Sequence, residues 1–361
     1  MPSNQRKKSM NNQTPPKSWS SFIIWAFAFG YFASYVPYSF LTKALTEGKL
    51  GPTKVDTFQI LPLSVIATLV MMFLFITMMG WWKFATQFKI GNISLPRPRL
   101  WTAFSGLCTG LIIVTTTLSY TIEGVSIVFA MLLMRGGVLI MSPIVDRITG
   151  RHVRWFSWAG LTLALVSLFV AFAEPAKPGV TRYAFNILLI VDVIIYLAAY
   201  FVRLQFMSKL GKSDNPAVTK GYLVEEQMVG APSVLLMMGL LALFLGGKDP
   251  QSVGAMLRWG FTEIWSTSCW GWVVLLGIFS QGTGIFGTLV LLDRSETAFA
   301  VPVNRSSSVI AGIGASLLLY FVLDLKLPSV YQFAGAAVII LAILFLSIPP
   351  LLEKYKKRPT T

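Results

Sequence analysis

Two arginines stand inside apolar stretches of this chain. Arg135 lies in the run 127–140, Ile-Val-Phe-Ala-Met-Leu-Leu-Met-Arg-Gly-Gly-Val-Leu-Ile. Arg305 lies in the run 298–310, Phe-Ala-Val-Pro-Val-Asn-Arg-Ser-Ser-Ser-Val-Ile after Ala298. A guanidinium keeps its proton, so in apolar surroundings it needs a partner, a watered cavity or a ligand. At mid-bilayer it costs at least ~2.5–3.5 kcal/mol. Its planar fork matches a phosphate or a carboxylate. Gly136 and Gly137 let a ligand or helix come close to the backbone after Arg135, and Ser142 lies two turns on. Pro302 removes a helical donor before Arg305, and Asn304, Ser306, Ser307 and Ser308 surround it with hydrogen-bonding groups. Two readings are open: contact with a ligand, or a structural ion pair with Asp192 or Glu225.

Other polar side chains fall at helical spacing. Asp192, Tyr196, Tyr200 and Arg203 are separated by four, four and three residues, which puts them on one helical face. Tyr31, Ser34, Tyr35 and Tyr38 form a similar stripe. Such stripes line a cavity and stack on a sugar or base, or they hydrogen-bond between helices. Thr115, Thr116, Thr117 and Ser119, and the segment Gln281-Gly-Thr-Gly284 with Gly287, fit either a cavity wall or tight helix packing, as does Gly106-Leu-Cys-Thr-Gly110. Glu123, Glu225 and Glu226 stand at expected helix starts. There a carboxylate either carries a coupling proton from a buried position or sits solvated on the helix dipole.

The elements that must position these residues are membrane helices. The chain has 361 residues, 55% hydrophobic and 12% charged, about half the usual charged fraction of a soluble domain. Apolar runs of roughly 20 residues recur along its length. The expected spans are 20–41, 58–81, 100–120, 124–145, 156–173, 184–206, 222–246, 267–292, 297–321 and 331–352. Alternating ten-residue strands of a β-barrel are absent from the sequence. The net charge of +15 sits in short loops and tails, which argues against nucleic acid. Cys108 and Cys269 suit neither a disulfide framework nor a metal site, and His152 is the single histidine. No cofactor, metal or catalytic group is expected.

With the N-terminus cytoplasmic, nineteen Lys and Arg residues fall on the cytoplasmic side and eight on the other. That bias predicts both termini inside and an even number of spans. Trp19, Trp81, Trp82, Trp101, Trp155 and Trp265 lie near span ends, as interfacial anchors do. Residues 1–18 read as a cytoplasmic tail and 353–361 as a second.

The two halves repeat. Tyr31 and Tyr35 match Tyr196 and Tyr200, Arg135 matches Arg305, and Gly160 matches Gly335. The expected fold is all-α, with a first five-helix repeat at 19–183 and a second at 184–352. An odd number of helices per half inverts the second half in the membrane, the pattern of secondary transporters with a site at the midplane.

Five plus five inverted helices resemble the drug/metabolite transporter superfamily. The best local matches are the segments 128–160 and 301–335, each a polar helix, a short polar or basic turn and a final helix opening at Gly160 or Gly335. The turns Thr149-Gly150-Arg151 and Leu323-Asp324-Leu325-Lys326 lack the Gly-Glu pair of EamA-type exporters and are more similar to the nucleotide-sugar and phosphate-ester branches. The resemblance implies that Arg135 and Arg305 face a central cavity and meet phosphates, although Ser306 stands where a lysine often follows the arginine. The expected function is alternating-access transport of a small anionic metabolite, phosphorylated or nucleotide-linked. The substrate-binding set is Arg135, Arg305, Asn304, Tyr31, Tyr35, Tyr196, Tyr200 and Gln281, with Asp192 and Glu225 for coupling or ion pairing. Alternatives are an exporter of a neutral or cationic metabolite, and a membrane enzyme using Glu225-Glu226 or Asp293-Arg294-Ser295-Glu296. Expected partners are the bilayer and a small-molecule substrate, with a homodimer allowed and no nucleic acid. The expected location is the bacterial inner membrane, with a Golgi or other organelle membrane as the alternative.

Overall fold

A computed structural model of the chain describes residues 21–356 apart from 52–53, 92, 123–124, 126, 149–154, 174–186, 212, 214, 246–248 and 293–296. Apolar length becomes helix throughout. The described residues form α1 (Ser21–Thr46), α2 (Thr57–Met78), α3 (Leu100–Thr121), α4 (Ile127–Ile148), α5 (Trp155–Phe172), α6 (Ile187–Phe206), α7 (Pro216–Phe244), α8 (Val253–Thr262), α9 (Trp270–Leu291), α10 (Thr297–Leu323) and α11 (Val330–Lys356). A helix stands at each of the ten expected places. Glu123, the turn 149–151, His152 and Asp293–Glu296 lie outside the described residues, as do the surroundings of Gly160 and the side chains of Ser142, Pro302 and Ser306.

Six helical stretches among the described residues are long and apolar enough to cross a membrane: Thr57–Met78, Leu100–Tyr120, Ile187–Gly211 (α6 with the π-helical turn Met207–Gly211 that follows it), Pro216–Phe244, Trp270–Leu291 and Val303–Leu323. The burial pattern is inverted relative to a soluble protein. Along α6 the buried face carries Asp192, Tyr196, Tyr200 and Arg203, while Ile187, Leu188, Ile190, Val191 and Ile194 are exposed. Exposed Phe29, Met78, Leu243, Phe244 and Phe321 continue the apolar exterior. Hydrocarbon accommodates that exterior, and hydrogen-bonded polar groups belong inside it. The chain therefore reads as a polytopic helical integral membrane protein.

Local signals explain where the helices begin. Asp56 caps α2 by accepting from the Phe58 N–H at 2.9 Å, and the Gln59 side chain accepts from the Asp56 N–H at 2.8 Å. Asn215 caps α7 through the Ala217 N–H at 2.9 Å, with Pro216 in the first helical position. Helix α7 thus starts at Pro216 rather than at 222, and the solvated-start reading of Glu225 and Glu226 is overturned. Both lie well inside the helix, 1% and 0% exposed. The short amphipathic α8 was not expected. Nor was the hairpin between α2 and α3, in which β1 (Gln87–Ile90) pairs antiparallel with β2 (Ile93–Pro96).

Helix α3 packs closely on α7. A Cβ on Gly106 would lie 2.7 Å from the carbonyl oxygen of Glu226, and one on Gly110 would lie 3.0 Å from that of Gly230. The Gly106–Gly110 pair is therefore a close-approach surface, the packing alternative named for it above. Gly106→Ala is expected to cost about 1–3 kcal/mol, since backbone must move. Gly239→Ala on α7, where nothing lies within 4 Å of the added Cβ, is the control expected to cost nothing. Reversible unfolding in mixed detergent micelles reads both.

Candidate functional site

Arg135 is the eighth residue after Ile127 in α4, and Arg305 the eighth after Thr297 in α10. Both guanidiniums are buried, at 2% and 0% exposure, and α4 packs against α10. They converge on one phenol. Arg135 donates from Nη1 to the Tyr196 hydroxyl and from Nη2 to the Tyr35 hydroxyl. Arg305 donates from Nη1 to the same Tyr196 oxygen at 3.3 Å. The Arg135 guanidinium sits 5.4 Å from each of the Tyr35 and Tyr196 ring centres, and that of Arg305 sits 4.5 Å from the Tyr200 ring centre. These are cation–π distances. Neither arginine meets a carboxylate within 4 Å among the described residues. Nε of Arg135, and Nε and Nη2 of Arg305, have no hydrogen-bond partner. Buried orphan donors are costly, and two like charges sharing one neutral oxygen compound the cost.

A cavity of about 70 Å³ adjoins this pair. Arg135, Tyr31, Tyr35, Tyr200, Gln281 and Asn304 all reach its wall. Arg305 and Tyr196 stand behind it, linked through the shared phenol. Tyr31 packs edge-on against Tyr35, with ring centres 5.2 Å apart. Tyr35 shares a 2.8 Å hydrogen bond with Tyr120, and Tyr38 another of 2.8 Å with Thr117. Gln281 donates to Gln227 at 3.1 Å, and Asn304 donates to the Gly287 carbonyl at 3.2 Å. Thr116 reaches the wall, while Thr115 and Ser119 bond back onto their own helix. Six of the eight expected binding residues therefore line one space, supplied by α1, α4, α6, α9 and α10.

The two expected acids lie elsewhere. Asp192 is 2% exposed and neither of its oxygens has a hydrogen-bond partner. It makes no ion pair with either arginine. Glu225 belongs to the hairpin instead. Its Oε1 accepts from the Thr86 N–H at 3.0 Å and the Thr86 hydroxyl at 2.8 Å. Its Oε2 accepts from Arg99 Nε at 2.9 Å and the Thr102 hydroxyl at 2.7 Å. Both acids are thereby removed as partners of Arg135 and Arg305. Glu225 ties both ends of the 86–99 segment to α7, so Glu225→Ala is expected to speed amide exchange at Thr86 and Arg99, with α9 unchanged. Hydrogen exchange read by mass spectrometry checks this, and unaltered protection across 86–99 would contradict it.

The residues not expected from sequence are Tyr120, Gln227 and Thr288, and Glu226 was expected at a helix start rather than as the partner of Arg203. Arg203 reaches the cavity wall and donates to Glu226 at 2.8 and 3.1 Å and to the Thr288 hydroxyl at 2.8 Å. Glu226 also accepts from Ser105 at 2.7 Å and Thr109 at 3.2 Å. The cap at Asn215-Pro216 is the signal that would have found Glu226 and Gln227, since it sets them turns deep within α7 rather than at its mouth.

No protein-family model matches the chain, and no curated protein matches it. A solved structure described only as a crystal structure of a protein is similar to it, at 14% identity over 92% of this chain and 99% of the other, with a TM-score of 0.52. At that identity the likeness is one of fold alone.

Proposed function

We propose that the chain is a secondary transporter of a small anionic metabolite, phosphorylated or nucleotide-linked, and not an enzyme. The observation that carries this reading is the Arg135–Tyr196–Arg305 cluster: two buried cations, three orphan donors and no carboxylate beside them among the described residues. An oxyanion supplies both the missing acceptors and the missing charge. Tyrosine faces around the cavity suit a sugar or base. Asp192, buried and unpartnered, would accept a coupling proton or cation.

Ten helices in two inverted repeats, 19–183 and 184–352, belong to the same proposal. Exchange of α1–α5 for α6, α7, α9, α10 and α11 turns one set of contacts into the other. Helix α1 packs on α9 as α6 packs on α3, α2 on α9 as α7 on α3, and α1 on α10 as α6 on α4. Helices α4 and α5 meet as α10 and α11 do. The same exchange turns the Tyr35–Arg135 contact into the Tyr200–Arg305 contact. These parallels support the resemblance to the drug/metabolite transporter superfamily and a rocking, alternating-access cycle about a shared site.

The cavity of about 70 Å³ is well below the ~300–1,000 Å³ of ligand pockets. Passage of a phosphorylated metabolite thus requires the halves to part, as rocking provides. We place both termini in the cytoplasm, and the protein, as monomer or homodimer, in a bacterial inner membrane. A thermal-shift screen of purified protein against nucleotides, sugar phosphates, carboxylates, amino acids and amines tests the anion preference. Stabilisation by phosphorylated compounds is expected. Stabilisation by amines alone would favour the cation exporter.

A further inference from the structure

A second space lies on the far side of α9, a groove of about 400 Å³ between α1, α2, α7 and α9. Its walls include Phe27, Phe75, Phe286 and Leu289, and its rim holds Trp81 and Lys220. The Lys220 ammonium sits 5.4 Å from the Trp81 ring centre and 5.1 Å from that of Phe84. It meets no carboxylate within 4 Å among the described residues. The groove collects the start of α1, the end of α2, the start of α7 and the end of α9, so it lies at one edge of the membrane zone. An apolar slot with a cation at its rim that meets no carboxylate among the described residues has the pattern of an amphiphile with a negative head. Basic pockets between helices at a membrane edge bind such headgroups.

We propose that this groove holds an anionic phospholipid, with an acyl chain between Phe27, Phe75, Phe286 and Leu289 and the phosphate at Lys220. The exposed Lys83, whose ammonium is 5.3 Å from the Phe84 ring, adds a second positive charge nearby. The volume lies within the ~300–1,000 Å³ of ligand pockets. Helix α9 gives the site a consequence. Ile285, Phe286, Leu289 and Leu292 face the groove, whereas Gly284, Gly287, Thr288 and Leu291 face the central cavity. Lipid occupancy therefore braces one wall of that cavity. The inference stands whether or not the cavity carries an anion.

The test uses the full chain in uncharged detergent, titrated with phosphatidylglycerol or phosphatidylcholine of identical chains and followed by tryptophan fluorescence. Tighter binding of phosphatidylglycerol is expected. Lys220→Ala should weaken it about fivefold, the worth of one lysine at an anionic surface, and Lys220→Arg should preserve it. Leu289→Trp, which fills the slot, should weaken both lipids. Equal affinity for the two lipids, an unchanged Lys220→Ala, or full competition by inorganic phosphate alone would each overturn the assignment. If Leu289→Trp fails to fold, the two Lys220 variants still decide.

Discussion

Replacing Arg305 with methionine is expected to stabilise the ligand-free protein and to destroy its anion binding. Arg305 is fully buried, leaves Nε and Nη2 without partners, and shares the Tyr196 oxygen with a second guanidinium. Removing it relieves desolvation and like-charge repulsion together. Replacing buried ionic groups by apolar ones of similar shape is stabilising by about 1–4 kcal/mol in comparable cases. Ligand binding moves the other way, because loss of one charged partner of a buried anion costs about 2–5 kcal/mol, or from tens to thousands of fold in affinity. Arg135→Met behaves alike but gains less, since Arg135 satisfies Tyr196 and Tyr35 at once. The thermal midpoint without ligand, set beside the shift caused by the best anion, reads both effects. A structural arginine would give the opposite pair: a lower midpoint and an undiminished shift.

The second large effect is expected at Glu226. Glu226→Ala leaves the Arg203 guanidinium buried with only Thr288 as acceptor, and it takes one partner each from the Ser105 and Thr109 hydroxyls, which keep Tyr222 and the Ser105 carbonyl. Breaking a buried pair in this way costs about 3–5 kcal/mol, because the surviving charge is uncompensated. The double variant Arg203→Met/Glu226→Leu removes both charges and should recover most of that loss. The four-member cycle in reversible micellar unfolding separates pairing from packing. Equal destabilisation by the double and single variants would show that volume, not charge, is at stake.

Much of this architecture is legible in the chain because hydrocarbon imposes a simple rule. Every apolar run must satisfy its own backbone, so length and composition mark the helices. The same rule marks Arg135, Arg305 and the α6 stripe, since a charge or phenol in such a run must turn inward. The polar partners across helices were harder to see. Which acid meets which arginine depends on the rotation of α7 against α3 and α6, and no periodicity in one helix encodes that. Asp192 and Glu225 looked like partners by type alone, whereas Arg203–Glu226 and Arg99–Glu225 form through helix packing. The start of α7 differs from 222 for another reason: apolar content marks where hydrocarbon begins, whereas the Asn215-Pro216 cap marks where the helix begins. Helix α8 and the hairpin escaped because both are short and lie between the long apolar runs.

On the proposed function, the two buried arginines receive an anionic cargo. Uptake into proteoliposomes measures it most directly, with labelled phosphate esters, nucleotides, carboxylates and amines offered to the unaltered protein and to Arg135→Met and Arg305→Met side by side. Saturable uptake of at least one phosphorylated anion is expected, lost in both variants. Saturable uptake of a neutral or cationic compound that survives intact in both variants would contradict it.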